Sequence, residues 1–426
     1  MKRGNRRLTL CAVWVVALSF GMAGASQAAT FGSPVVVSSE DATEPGIDIA
    51  PQGTIYVNAP EGLLSSVPVS PSVVWRSDNG GASWLRTPMS QRGVLPGGGD
   101  SDISIDPASG KLAMTDLWLG SATVSTSADK AQTWLANPLQ GIVLQDRQWV
   151  AQAGGGAVYH VTHQIPLGLV VSHSIDGGLT YPVSSLAASP VDQTGCVCPP
   201  GNLIAEHGTS LLGLPGVGLA DKVGVIYATS SGGVKFARST NSAVTFASSD
   251  VSPASGAQTN ANFPVVANAG AGKLVAVWQQ TDAGQTSIRY ADSSDWGASW
   301  SHRKTLVSGG SSVFPWVDAR AGKVAVSLYH SSAAGDPATV PATAQWFESY
   351  LESSDGGVTF SALQTIDPAP VKRGPICLEG ISCSGGRELG DFQSIALDPA
   401  GLADVSYVRS IDNVADTEVR FAHQTG

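Results

Sequence analysis

Charge is scarce in this chain. Asp, Glu, Lys and Arg together make up 14 % of its 426 residues, and Met occurs only 4 times. Helical bundles and coiled coils need Glu, Lys and Ala on their solvated faces, so both are excluded. Basic residues are fewer than acidic ones, 24 against 34, which leaves no electrostatic footprint for nucleic acid or anionic lipid. After the first twenty residues no apolar run approaches the ~20 residues of a membrane span. Cysteine is limited to 5, and no His or Cys spacing resembles a zinc site. Neither a metal nor a cofactor is expected. What the chain does have is 49 Gly, 11 Trp and a hydrophobic fraction of 42 %. That composition excludes disorder and suggests many short strands joined by Gly-rich turns.

The first residues read as an address. Lys2, Arg3, Arg6 and Arg7 precede an apolar run from Leu8 to Phe20, and small residues lead to Ser26-Gln27-Ala28. This is the pattern of an export signal cleaved after Ala28. Residues 29–426 are then expected to form one domain, secreted or periplasmic, and monomeric. Cleavage removes four basic residues and no acid, so the mature balance is 20 − 34 = −14. Cys11 leaves with the signal. Cys196, Cys198, Cys377 and Cys383 stay in an oxidising compartment and allow three pairings. Local closure of Cys377 with Cys383 is the easiest to picture, a Cys196–Cys198 bridge would be strained, and cross-pairing stays open.

A repeat organises the rest. Ser77-Asp78-Asn79-Gly80-Gly81-Ala82-Ser83-Trp84 is followed by related octads that start at Ser127, Ser174, Ser239, Ser293 and Ser353. Their last residues, Trp84, Trp134, Tyr181, Phe246, Trp300 and Phe360, lie 47 to 65 positions apart. An Asp or Asn oxygen can accept from the amides of a tight hairpin, and Gly supplies positive φ. The terminal aromatic can then pack between neighbouring sheets. These octads resemble the Asp-box of sialidases and related propellers, Ser-x-Asp-x-Gly-x-Thr-Trp. The resemblance implies an all-β chain with one four-stranded blade per unit. Seven units are countable, from near Ile47 to a last one running from Phe392 through Tyr407. The last unit stops where a box should begin, and Thr30 to Val37 looks like the end of a box plus an outer strand. A seven-bladed β-propeller closed by the N-terminal strand is therefore expected, with six blades as the fallback.

In the resembling families the boxes lie away from the active site, so chemistry is expected on the opposite rim. Strand polarity places there the residues entering each first strand and leaving each second strand. Asp102, Asp146, Glu388 and Asp391 could supply the two carboxyl groups that glycoside hydrolysis needs. His163 and Tyr407 could serve as bases for β-elimination on an acidic polysaccharide. Arg147, Arg387 and Arg409 could approximate an anion clamp, because guanidinium forks suit carboxylates. Trp118, Trp278 and His330 complete the inventory as substrate contacts. The sialidases also carry an early Arg-Ile-Pro segment, which this sequence lacks, and its first mature arginine, Arg76, immediately precedes a box. The leading expectation is a glycoside hydrolase-type enzyme acting on extracellular glycan or polysaccharide. Its rivals are a lyase and a non-catalytic binder of glycan or protein.

Overall fold

A computed structural model describes residues 28–60, 72–88, 100–118, 121–137, 145–193, 199–208, 220–253, 263–410 and 417–426, together with Met1 and Gly256. The export signal and the Cys196–Cys198 segment lie outside the described residues. Seven antiparallel sheets follow one another along the chain. Their first strands are Gly46–Ile49, Ser101–Ile105, Gln145–Gly154, Pro200–Glu206, Val265–Gly270, Ser311–Arg320 and Ser394–Leu397. These pack against one another in ring order, so they line the axis of a seven-bladed propeller. The last blade consists of Ser394–Leu397, Ala403–Arg409, Glu418–His423 and, as its outer strand, the N-terminal Val35–Ser38. Two further bonds tie the segment before this strand to the last residues, Thr30 N donating to the Gly426 carbonyl at 2.6 Å and Thr425 N to that of Thr30 at 2.7 Å. Among the described residues, only two short 3-10 turns are helical, and no helix is long and apolar enough to cross a membrane.

All six boxes join a third strand to a fourth. In the sixth, the Ser353 hydroxyl accepts from Gly357 N at 2.8 Å, and the Asp355 carboxylate accepts from Thr359 N at 2.9 Å and from the Thr359 hydroxyl at 2.6 Å. The worn fourth copy keeps this pattern, with Asn241 accepting from Thr245 N at 3.0 Å. The third to sixth boxes each also bond the turn between their own blade's first two strands, as Gly356 N does to the Gly322 carbonyl at 2.8 Å. Both turn sets therefore share one face, as strand polarity predicts. The terminal aromatics pack on the preceding blade: Trp84 on Phe421, Trp300 on Phe236 and Phe360 on Tyr290, with ring centroids 5.2 to 5.6 Å apart.

The fifth box position has a packing rule. It is Gly where the preceding blade presents an aromatic ring three residues before its own box. A Cβ on Gly297 would stand 2.3 Å from Phe236, and one on Gly357 1.9 Å from the Tyr290 hydroxyl. Where the preceding blade presents Val74 or Val171, the position is Ala131 or Ala243, and each joins that valine in a buried cluster. Both alanines hold φ near +60°, so the packed methyl group offsets an unfavourable backbone conformation. Gly357→Ala is expected to destabilise the protein by roughly 2–4 kcal/mol through overpacking and left-handed strain. Ala131→Gly should stay within about 1 kcal/mol of neutral, since lost burial and relieved strain oppose each other. Denaturant midpoints check both; equal effects from the two substitutions would refute the rule.

Candidate functional site

The first strands have one edge with no strand beside it, and side chains of the neighbouring blade take up its amides. Asp48 accepts from Ile105 N at 2.7 Å, Asp102 from Val150 N at 2.9 Å, Asn202 from Val266 N at 2.9 Å and Asp318 from Leu397 N at 2.7 Å. These side chains line an axial cavity of about 410 Å³ that runs from Trp149 and Trp316 toward the box face, where Pro107 and Asn268 border it. Burial pushes Asp48 and Asp102 up to about 7, and raises Asp318 too. Asp102 is thus a stitch between the second and third blades, set within the channel rather than on the rim where the sequence placed it.

Above Trp149 and Trp316, on the face opposite the boxes, lies a second arrangement. Trp149, Phe263, Trp316 and Phe392 close the axis as an aromatic plug, with centroids 5.3 to 6.3 Å apart for the contacting pairs. The Trp149 ring is oriented by its indole N–H, which donates to the Pro200 carbonyl at 2.9 Å. Arg147 lies on this plug, its guanidinium carbon 3.7 Å from the Trp149 centroid and 4.3 Å from that of Phe392. A bulge puts it there. Asp146 pairs with His163 and Gln148 with Thr162, so Arg147 is the extra residue, with φ of +38°. Such bulges re-aim a side chain without ending the strand.

Four carboxyl groups surround this arginine. Its Nη1 lies 3.5 Å from Asp100 and 3.8 Å from Glu44. Arg387 forks onto Asp391, with Nε donating at 3.0 Å, and reaches Glu44 at 3.5 Å. Asp146 accepts from Arg147 N at 2.9 Å. Glu44 and Arg147 are each only 2 % exposed; Asp100 and Arg387, at 14 % and 19 % for their side chains, are more open to solvent. Burial raises Glu44 well above the usual carboxyl range, and Asp391 and Asp100 add to this against the pull of Arg387 and Arg147. Burial and Asp100 push Asp146 up to about 6, while burial raises Asp391 although Arg387 opposes it. Among the described residues, Glu44 Oε2 and all three guanidinium nitrogens of Arg147 are buried without a hydrogen bond. No group of three or more His, Cys, Asp or Glu among the described residues is arranged to hold a metal ion.

Of the residues singled out from the sequence, Asp146, Arg147, Arg387 and Asp391 come together here. The others do not join them. Glu388 lies in the same loop but pairs with Lys372. Tyr407 is fully buried between blades and donates to Asp367 at 2.7 Å. Arg409 lies 3.7 Å from Glu418 and donates to the Pro370 carbonyl at 3.4 Å. Trp278 belongs to a core cluster, and His330 bonds the Ser312 hydroxyl at 2.9 Å. His163 stands opposite Asp146 but is buried, and burial lowers it to about 4. Trp118 ends the second strand of its blade, and its side chain lies outside the described residues. Cys377 and Cys383 form a disulfide in the loop that carries Arg387. Glu44 was missed, although it stands just before the first strand of its blade, as Asp100 does before Ser101. The rule that places residues entering each first strand on the rim, applied to the first blade, would have found it.

Seven antiparallel sheets and six box hairpins together define a seven-bladed Asp-box β-propeller. No family model matches the sequence, and no curated protein does. Solved structures similar to it include an α-L-arabinofuranosidase of Fusarium graminearum with an iminosugar inhibitor, at 12 % identity and a TM-score of 0.46, covering 93 % of this chain and 96 % of that one. A Penicillium chrysogenum α-L-arabinanase with arabinobiose matches at 12 % identity and 0.45, covering 93 % and 98 %. The intramolecular trans-sialidase of Ruminococcus gnavus, with oseltamivir carboxylate, matches at 10 % and 0.46, covering 90 % and 94 %.

The stitches make a prediction of their own. A carboxyl group held near 7 in the folded state and near 3.9 when unfolded binds its proton more tightly in the fold. Its contribution is therefore complete below pH ~4 and is lost as pH rises to ~7. Asn performs the same bridging at Asn202, so Asp102→Asn should preserve the stitch. The variant is expected to be more stable than the parent at pH 8 by about 1–2 kcal/mol, with little gain at pH 4. Denaturant midpoints at the two pH values check this. The same pH slope in parent and variant would show that Asp102 does not titrate in this range.

Proposed function

We propose that the protein is a glycan-acting hydrolase whose reaction centre is the cluster of Glu44, Asp100, Arg147, Arg387 and Asp391. One observation carries this reading: Glu44, which burial raises well above the usual carboxyl range, shares a site with Asp391, which the Arg387 guanidinium forks. Glycoside hydrolysis needs such an unequal pair, one acid to protonate the leaving oxygen and one carboxylate to act as base or nucleophile. Glu44 fits the first role, because a proton on Oε2 has no acceptor among the described residues. Asp391, steadied by the Arg387 fork, fits the second. Arg147 supplies donors for substrate oxygens. The leader-like N-terminus and the Cys377–Cys383 disulfide support work outside the cytoplasm.

Non-catalytic retention of glycan is the second reading, and the near-complete burial of Glu44 and Arg147 favours it. Purified protein incubated with a polysaccharide panel separates the readings through reducing ends, unsaturated-uronate absorbance and retention on immobilised glycan. New reducing ends are expected, and Glu44→Gln should lower their rate by about 10²-fold or more at an unchanged melting temperature. Full turnover by that variant would refute the assignment. Retention without any product would establish the binding module, and unsaturated products a lyase.

A further inference from the structure

We propose that the axial cluster takes neutral glycans and turns away glycans that carry carboxylates. This rests on the glycan-acting reading above and names the substrate class of the same site. The argument is a balance of charge and donors. Among the described residues four carboxyl groups, Glu44, Asp100, Asp146 and Asp391, stand against two guanidinium groups, Arg147 and Arg387. Even with Glu44 set aside, Asp100, Asp146 and Asp391 outnumber the two guanidinium groups. The Arg387 fork is occupied by Asp391, and Arg409, which would make a third clamp residue, is held beside Glu418. An incoming sugar carboxylate would therefore meet an excess of like charge in a site where screening is weak.

Arg147 points the same way. Its ring-facing surface is covered by Trp149 and Phe392, so only its N–H edge is left to recognise a ligand. That edge has three buried nitrogens with no hydrogen bond among the described residues. Buried donors left unpaired are unfavourable, and an acceptor that completes them contributes strongly to affinity. Neutral hydroxyl and ring oxygens of a sugar supply such acceptors without adding to the negative excess.

Matched glycans test this directly: xylan against glucuronoxylan, and fully methyl-esterified against de-esterified homogalacturonan, each scored for retention in affinity gels and for reducing ends. On any backbone that is used, the neutral member is expected to be retained or cleaved at least ~10-fold better, with the gap narrowing as salt rises. Equal use of both members, or preference for the carboxylated one, would overturn this inference and leave the hydrolase reading standing. No retention and no cleavage of any glycan would overturn both. Asp391→Asn frees the Arg387 fork and removes one negative charge, so the ratio of neutral to carboxylated use should fall by about five-fold or more. Scored as retention in the affinity gels, that ratio does not require the variant to turn over, and an unchanged ratio would also count against the proposal.

Discussion

Every first strand of the ring has an edge that no strand covers, and closing those edges is the constraint on which the molecule depends. Unpaired backbone amides facing a narrow channel would be costly. Asp48, Asp102, Asn202 and Asp318 take them up from the neighbouring blade. At other seams the links differ in kind: Trp149 N–H to the Pro200 carbonyl, Ser312 N to the Thr286 hydroxyl, Ser394 hydroxyl to the Pro45 carbonyl. The same device explains why carboxyl groups sit in the channel with raised pKa values. Their task is to accept amide protons, and their burial follows from where those amides lie.

A second set of contacts holds the blades at their outer ends. Each box closes its own hairpin through a Ser hydroxyl and an Asp or Asn oxygen, and its fifth residue and final aromatic then meet the preceding blade. The size of that fifth residue answers the side chain opposite it, Gly beneath Phe236 and Tyr290, Ala beside Val74 and Val171. Side-chain complementarity decides at these seams whether a backbone that favours Gly must have it; in the third box Gly178 follows Val124, and a Cβ there would meet the Thr126 methyl at 2.7 Å. The last blade has no box; there the pairing of Thr30 with Thr425 and Gly426, together with Gln424, takes its place. The Gln424 side chain accepts from Lys323 at 2.6 Å and from Ala403 N at 3.0 Å, and donates to Glu352 at 3.1 Å.

Between the two ends, the aromatic plug divides the axis into unequal halves. On the box side is an acidic channel whose polar groups are largely committed to the stitches. On the other side Arg147 lies over the plug, its Nη1 ion-paired with Asp100 and Glu44 but its nitrogens without a hydrogen bond among the described residues, beside carboxyl groups that burial raises. The carboxyl groups of the channel hold blades together, while those of the rim cluster surround Arg147, which they meet as ion pairs and not as hydrogen bonds. The same residue type performs both tasks, and the number of amides available to each carboxyl group distinguishes them.

The octads were legible in the sequence because their bonding is local. Ser127, Asp129 and Thr133 complete their hairpin within seven residues, so type and spacing alone report the turn, the blade count and the face on which the boxes lie. Strand polarity placed Asp146, Arg147, Arg387 and Asp391 on the face opposite the boxes, and the fold brings these four together there. Asp102, Tyr407, Trp278 and Arg409 were misplaced because position along a strand does not say which way a side chain meets the next blade. Arg147 reaches the axis only through a bulge that no local pattern announces, and Glu44 joins Arg387 across 343 positions of chain. The sequence by itself determined the seven-fold repeat, because each hairpin satisfies its own polar groups. Only the tertiary structure decided which carboxyl groups stitch and which stand free, because that depends on amides and guanidinium groups contributed by other blades.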